Sequence, residues 1–285
     1  MNENRQPFGP RIEVEEFRLL RDLINKFCGI AFADDYRYIM ERRLRDRLGV
    51  LGMATFQEYY QYLKYHPIAR AELEEAVDSL TTNETYFFRE EYQLRSFRDE
   101  VLPELFHRLG PKRKLAIWSA GCSTGEEAYT IAMLILDARR FEDWDVRIFG
   151  NDISRRVLAH ARRGVYGSGA FRATTDQHRR AYFVDRADGM HVVEEVHSLC
   201  HFGHLNLLDE ERAAFVGRVD VIFCRNVLIY FDSDSRRRVI ELFYDRLAPG
   251  GYLFLGHSEM FFGVDLGLEV VSTAGATMYR LSVTP

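Results

Sequence analysis

Between residues 12 and 110 the apolar positions recur three and four apart, the period of a helix with one buried face. Ile12, Phe17, Leu20, Leu23, Ile24 and Phe27 form the first such face, and Gly29 stops it. A second helix is predicted from about Tyr36 to Leu51, with Met40, Leu44, Leu48 and Leu51 on one side. Thr55 is placed to cap a third that carries Tyr59, Tyr60 and Leu63, and a fourth follows Pro67 through Leu73, Val77 and Leu80. Beyond Thr81–Arg89 a long helix is predicted from about Glu90 to Leu109, ended by Gly110–Pro111.

The period then changes. Leu115–Trp118, Val146–Phe149, Val219–Phe223 and Tyr252–Leu255 are short apolar runs separated by helix-length segments. That alternation predicts βαβ units and a parallel sheet, whose strands are buried on both faces and so lack polar alternation. Tyr182–Val184 and His191–Val196 flank Asp188–Gly189, a hairpin signal. Leu268–Ser272 and Thr277–Leu281 read as a closing pair of strands. The expected architecture is an all-helical domain at 1–80, a linking segment and connecting helix at 81–110, and an α/β domain at 111–285 with a small β insertion at about 165–200.

Composition narrows the function classes. The 285 residues are 47% hydrophobic and 13% aromatic, ample for a buried core. Lys+Arg 38 against Asp+Glu 43 leaves a net charge of −5, which disfavours nucleic-acid binding through overall charge. No run approaches the ~18 apolar residues of a membrane span. The stretch MNENRQPFGPRIEVEEF lacks a signal peptide's apolar core, so a soluble cytoplasmic protein is expected. Cys28, Cys122, Cys200 and Cys224 are scattered without a CxxC pair, which indicates neither a disulfide framework nor a zinc knuckle.

Candidate chemistry gathers where predicted strands end. The first strand runs into Ser119-Ala-Gly-Cys-Ser-Thr-Gly-Glu-Glu. There Gly121 and Gly125 would let a ligand approach the backbone amides, or would only permit tight packing. Glu126 and Glu127 at the helix start would repel a pyrophosphate and suit a cationic or hydroxyl-rich guest. Asp152, ending the second strand, stands where α/β folds hold ribose hydroxyls, or else caps the helix near Ser154. Arg225, Asn226 and Tyr230 follow the buried run Val221–Cys224 and form a pocket rim or an Asn turn with a core aromatic. In Thr81–Glu90, Arg89 could clamp a carboxylate, or the segment could be a capping turn with Phe87 and Phe88 as packing. His191, His197, His201 and His204 with Cys200 give no compact same-face ligand set at strand spacing. Arg37, Arg42, Arg43, Arg45 and Arg47 make a basic helix on which Arg42 and Arg45 are expected to project outward, a solvated face or a dock for an acidic partner.

TTNETYFFRE, WSAGCSTGEEAYTIAMLIL, FGNDIS, the N-L-L of HLNLLD, FCRNVLIYFD and LAPGGYLFLGHSE, taken together and in this order, resemble the chemotaxis receptor methyltransferases of CheR type, across about Thr81 to Glu259. The resemblance implies a Rossmann-like methyltransferase domain behind an all-helical domain. It implies S-adenosylmethionine (SAM) as methyl donor, S-adenosylhomocysteine (SAH) as product, and glutamate side chains of methyl-accepting chemotaxis receptors as acceptors, the reaction of chemosensory adaptation. By the same resemblance Asn83, Thr85, Arg89, Glu127, Asp152, Asn206, Leu207, Arg225 and Asn226, with Gly121 in the glycine loop, hold the donor. Arg89 and Tyr230 stand beside the reacting methyl. No metal is implied. The receptor's cytoplasmic helices are expected on the Arg37–Arg47 helix and on the β insertion, which in some members grips a peptide at the receptor's C-terminus.

The chemistry is consistent with that family. A glutamate carboxylate, pKa about 4.3, is ionised at neutral pH, so no general base is needed and alignment carries catalysis. Three other readings compete. A methyltransferase of amines or nucleic acid is disfavoured because the chain has no Pro-Pro dipeptide and hence no Asn-Pro-Pro-aromatic block. A silent donor-binding sensor would bind but not turn over. A nicotinamide dehydrogenase lacks its GxGxxG.

Overall fold

The apolar spacing of the N-terminal segment is realised as four helices: α1 (Val14–Cys28), α2 (Arg37–Leu51), α3 (Phe56–Tyr65) and α4 (Ala69–Leu80). The computed structural model describes residues 9–259, 267–273 and 275–282. Glu13 and Glu16 form a capping box at the start of α1, and Gly29 ends it in the left-handed conformation, φ +77°. The Thr55 side chain accepts the Glu58 N–H at 3.1 Å and so caps α3. Phe17, Leu20, Ile24, Met40, Leu44, Leu48, Phe56, Tyr59, Val77 and Leu80 are buried, the residues that the helical period places inward. By contact this unit comprises residues through Thr82 plus Tyr230–Arg236; the second unit comprises Asn83–Ile229 and the residues from Arg237 onward. The segment Tyr230–Arg236 joins the helices through a β-bridge between Ile30 and Phe231 and a hydrogen bond from Asn25 to Asp232.

The arginines of α2 are not all outward. Arg43 Nη1 donates to the Leu80 and Thr81 carbonyls at 2.8 and 3.0 Å, closing the end of α4. Arg47 grips Glu72 and lies within 3.6 Å of Glu75. Arg45, expected to project, is tied to Glu41 at 2.6 Å with its side chain only 34% exposed. The correction has a simple cause: an acid four residues earlier on a helix is within reach, and the pairing folds the guanidinium down. Arg37 and Arg42 are exposed.

The second unit holds ten strands among its described residues: β1 (Lys114–Ala120), β2 (Asp145–Asp152), β3 (Val165–Tyr166), β4 (Phe183–Arg186), β5 (Gly189–Val192), β6 (Cys200–His204), β7 (Val219–Cys224), β8 (Leu247–Leu255), β9 (Leu268–Ser272) and β10 (Thr277–Leu281). Seven form one sheet in the order β6-β2-β1-β7-β8-β10-β9. The first five are parallel, and β10 and β9 are antiparallel additions. The chain runs outward from β1 through β2 to β6, then returns to the other side of β1 as β7. The strand order therefore reverses between β1 and β7, the crevice where open α/β sheets bind ligands at strand carboxyl ends.

Three expectations needed correction. The connecting helix is not continuous: α5 (Glu91–Ser96) passes through a wide π-type turn, Phe97–Val101, into α6 (Leu102–Leu109). Pro103 has no N–H to give Asp99, and the Leu102 N–H reaches back to Phe97 instead. The hairpin turns one residue earlier than expected, with Arg186 opposite Gly189, so that its first arm runs on to Arg186 and its second ends at Val192. Tyr182 closes the helix Asp176–Tyr182, and Glu194–His197 is a helical turn. Cys200–His204 leaves the insertion and joins the main sheet beside β2, with Cys200 opposite Ile148. As an edge strand it can carry histidines, which its sequence made look like surface. The insertion itself is a three-stranded sheet, β3-β5-β4.

Candidate active site

The loop from β1 enters α7 (Glu126–Asp137) through Gly121–Gly125. Gly121 has φ +75°, and a Cβ there would meet Val227 Cγ2 at 2.5 Å, so only glycine lets this loop meet the loop after β7. The Ser123 N–H donates to Asp152 Oδ2 at 2.9 Å, and the Ser123 hydroxyl reaches the Asn83 carbonyl at 3.5 Å. Asp152 Oδ1 accepts the Ser154 N–H at 2.9 Å. The following helix, α8 (Arg155–Arg163), is capped by the Ser154 side chain, so Asp152 is not its cap. Asp152 instead joins the end of β2 to the glycine loop.

Arg225 lies at the centre. Its Nε donates to Glu127 Oε2 at 2.7 Å, and its Nη1 donates to the Arg89 carbonyl at 2.9 Å. The other Glu127 oxygen accepts the Ser119 hydroxyl at 2.7 Å. Gln93, 2% exposed, donates to the Leu255 carbonyl at 2.6 Å. Arg225 is thus a buried cation compensated by Glu127 and held by the Arg89 carbonyl and, at 3.4 Å, the Gln93 side-chain oxygen, the arrangement that makes a buried pair tolerable. Glu126 is 4% exposed, and burial pushes its carboxyl up to about 7 despite the Thr124 hydroxyl at 2.7 Å. The two acids at the start of α7 are therefore not the bare negative surface their sequence suggests: one pairs with Arg225, the other is buried and holds its proton toward neutrality.

Phe88, Glu90, Ser123 and Asn226 all have left-handed backbone, at φ 60°, 55°, 51° and 60°. Such residues cost of order 1–2 kcal/mol each and persist only where the surroundings over-determine them. Two of them bracket Arg89, and the Asn226 side chain donates to Glu90 Oε1 at 3.0 Å. Arg89 is half-buried, and its Nη1 donates to the Glu84 carbonyl at 2.8 Å. Asn226 Oδ1 is buried with no hydrogen-bond partner among the described residues.

Most residues singled out from sequence therefore meet at the carboxyl ends of β1, β2 and β7: Asn83, Arg89, Gly121, Glu127, Asp152, Arg225 and Asn226. Asn206 and Leu207 follow β6 in a buried turn tied to β2, where the Leu205 N–H donates to the Asp152 carbonyl at 3.1 Å. Thr85 is half-buried on the extended segment beside Asn83. Tyr230 groups with the helical unit; its carbonyl accepts the Ala31 N–H at 2.8 Å, and it is 42% exposed. The histidines are used separately: His197 and His204 face the Arg162 and Ile153 carbonyls, and His191 faces Asp188.

Sequence reasoning missed Glu90, Gln93 and Glu259. Glu259 is 1% exposed and accepts the N–H groups of Asn226, Val227, Ile229 and Gly256 at 2.7–3.1 Å. It closed the LAPGGYLFLGHSE block, where no role was assigned to it.

The family description "CheR methyltransferase, SAM binding domain" matches residues 83–277, and "CheR methyltransferase, all-alpha domain" matches residues 15–81. This chain belongs to the CheR methyltransferase family. Chemotaxis protein methyltransferase 2 of Vibrio cholerae is 38% identical over 86% of this chain and 85% of that one. The chemotaxis protein methyltransferase of Borreliella burgdorferi is 35% identical over 96% of this chain and 98% of its own length. A solved structure gives a weaker likeness. That of a magnesium protoporphyrin IX methyltransferase from Synechocystis PCC 6803 with bound SAM is 16% identical, covering 84% of this chain and 93% of that chain at a TM-score of 0.34, so membership rests on the sequence relatives. The CheR-family chain is a SAM-dependent methyltransferase, and its site fits that donor. The unpartnered Asn226 oxygen calls for an N–H or O–H donor, which the α-amino group or the ribose of SAM has, and Asp152 stands at the strand end suited to hydroxyls.

Proposed function

We propose that this protein works in the cytoplasm, transfers the methyl group of SAM to glutamate carboxylates of methyl-accepting chemotaxis receptors, and uses the residues at the β1/β7 crevice to do so. The observation that carries the site assignment is the interlock of Arg225 with Glu127 and the Arg89 carbonyl, beside an unfilled Asn226 acceptor. When bound, SAM would supply a methyl on a sulfonium, so that an O–C bond to the acceptor carboxylate forms as the C–S bond breaks and its electron pair leaves with sulfur. Asp152, Asn206 and Leu207 hold the nucleoside end on this reading. Asn83, Thr85, Gly121, Glu127, Arg225 and Asn226 shape the rest of the donor site. Arg89 forms no ion pair among the described residues, which leaves guanidinium donors to orient a carboxylate, of donor or acceptor. Tyr230's place beside the methyl rests on the family resemblance. No proton has to move, since the acceptor is already ionised.

The division into a helical domain at 1–80, a connecting segment at 81–110 and a methyltransferase domain with an insertion at about 165–200 belongs to the same proposal. Receptor helices, which must offer acidic side chains, would dock on the exposed Arg37 and Arg42 of α2 and on the β3-β5-β4 sheet. Calorimetric titration with SAM and SAH, alongside Asp152→Ala and Arg89→Ala, tests the site. Micromolar binding weakened by both changes, followed by base-labile methyl transfer to receptor-bearing membranes, is the expected result. Absence of binding to either ligand would sink the site assignment.

A further inference from the structure

The acid four residues past β8, Glu259, has no role in the chemistry above, yet it is among the most enclosed carboxylates of the second unit. Glu259 Oε2 accepts the N–H groups of Gly256 and Asn226, both at 2.7 Å. Its Oε1 accepts those of Val227 at 2.7 Å and Ile229 at 3.1 Å. An ionised carboxylate offers about four lone-pair sites, and here each meets a backbone donor. The chain is arranged for this contact. The Glu259 N–H closes a tight turn on the Gly256 carbonyl at 2.9 Å, which swings the side chain back over the strand end. A Cβ on Gly256 would collide with Glu259 Oε2 and lie 2.9 Å from the Asn226 nitrogen.

Three of those four amides belong to the segment that leaves β7. That segment starts with Asn226, whose left-handed backbone, φ 60°, is one asparagine tolerates better than most residues and is here fixed by the three amide contacts to Glu259. Its side chain is aimed by a donation to Glu90 Oε1 at 3.0 Å, which leaves Oδ1 as the unpartnered buried acceptor. We propose that Glu259 is a positioning residue: its carboxylate sets the Asn226–Ile229 turn and thereby presents the Asn226 amide oxygen to the methyl donor. The proposal rests on the reading that Asn226 belongs to the donor site. A glutamine cannot substitute, because its amide nitrogen is itself a donor and would face two of the four N–H groups. An aspartate carries the right oxygens on a stem one methylene too short.

The test is SAH affinity of the full chain, by calorimetry, for the wild type, Asn226→Ala, Glu259→Gln and the double variant, with a thermal melt of each. Both single variants are expected to bind SAH at least tenfold more weakly, and the double variant no more weakly than the worse single one, because Glu259 acts through Asn226. A purely structural role would lower the melting temperature and leave the affinity of the folded protein unchanged. Wild-type affinity in Glu259→Gln, or losses that multiply in the double variant, would overturn the proposal. If Asn226→Ala alone binds like the wild type, the donor-site reading of Asn226 fails first, and that outcome is distinct from failure of Glu259. Should Glu259→Gln not fold, Gly256→Ala displaces the carboxylate without removing its charge, and the same weakening is expected. If neither variant folds, Glu259 is a determinant of the fold and not a positioning residue.

Discussion

Each unit of the protein contains an arginine–glutamate pair with a largely buried glutamate, its arginine half-buried at Arg47 and buried at Arg225, and the two pairs differ in what surrounds them. In the helical unit Arg47 binds Glu72 through both carboxylate oxygens, and the Tyr59 hydroxyl donates to Glu72 Oε1 at 2.7 Å. All three residues sit on regular helices, and the pairing raises the Arg47 pKa, with the Glu72 hydrogen bond as the chief cause. In the α/β unit Arg225 binds Glu127 through one oxygen only and spends another donor on the Arg89 carbonyl. It is ringed by the left-handed residues Phe88, Glu90, Ser123 and Asn226 and by one unfilled acceptor. Burial and pairing are thus common to both. What marks the second as a site is irregular backbone at strand carboxyl ends with hydrogen-bonding capacity left over. A saturated pair on helices holds a fold together; an unsaturated one among constrained loops is set up for a ligand.

The sharpest break of this comparison is Arg225→Ala against Glu72→Ala. Removing Arg225 leaves Glu127 buried and uncompensated. Loss of SAH affinity by more than about 100-fold is expected, together with about 3–5 kcal/mol of stability. Glu72→Ala should cost about 3 kcal/mol through the stranded Arg47 and Tyr59, with SAH affinity within twofold of wild type. Melting curves and calorimetry on both proteins decide it, and an effect of Glu72→Ala on SAH binding would dissolve the distinction.

Next in size, Asp152→Ala should weaken SAH by about 10–100-fold, or ~1.4–2.7 kcal/mol, since it removes the proposed ligand contact and frees the Ser123 amide. Glu126 offers a test by pH. Its carboxyl is raised in the native state from 4.5 to about 7. Between those values the folded protein holds a proton that the unfolded chain has released. Stability is therefore full at the acid end of the window and falls as pH rises through 7, by of order 3 kcal/mol from this group. Glu126→Gln should flatten the dependence of melting temperature on pH between 5 and 8 and be the more stable protein at pH 8. Smallest of all, Arg37→Glu with Arg42→Glu should lower methyl transfer to receptor-bearing membranes several-fold and leave SAH affinity untouched, because exposed charges act mainly on encounter. Unchanged transfer would remove α2 from the docking surface.

Much of the architecture was legible because it is written in local periodicity. The boundaries of β9 and β10 match the expected Leu268–Ser272 and Thr277–Leu281, and Gly29 ends α1 where the apolar period stops. What was not legible depends on details that the apolar period does not carry. The π-type turn at Phe97–Val101 answers to one proline inside a helical pattern. β6 lies in sequence read as strand-like, but its place at the edge of the main sheet beside β2 leaves no continuous apolar run to show it. Arg45 was read as outward because its pairing with Glu41 is a matter of rotamer and not of period.

The same division runs through the site. Motif order along the chain was enough to reach the family and the donor and to name the loops proposed to hold it, because short blocks at strand ends keep their residue types and spacing whatever lies between them. Folding alone decided that Glu127 spends its charge on Arg225, that Glu126 is buried and raised toward neutrality, and that Asn226 is left with one open acceptor. It also brought Glu259 against amides some 30 residues earlier in the chain. Residue type states what a side chain can donate or accept; only the packed chain states which of those capacities are already used, and the unused ones are where a ligand binds.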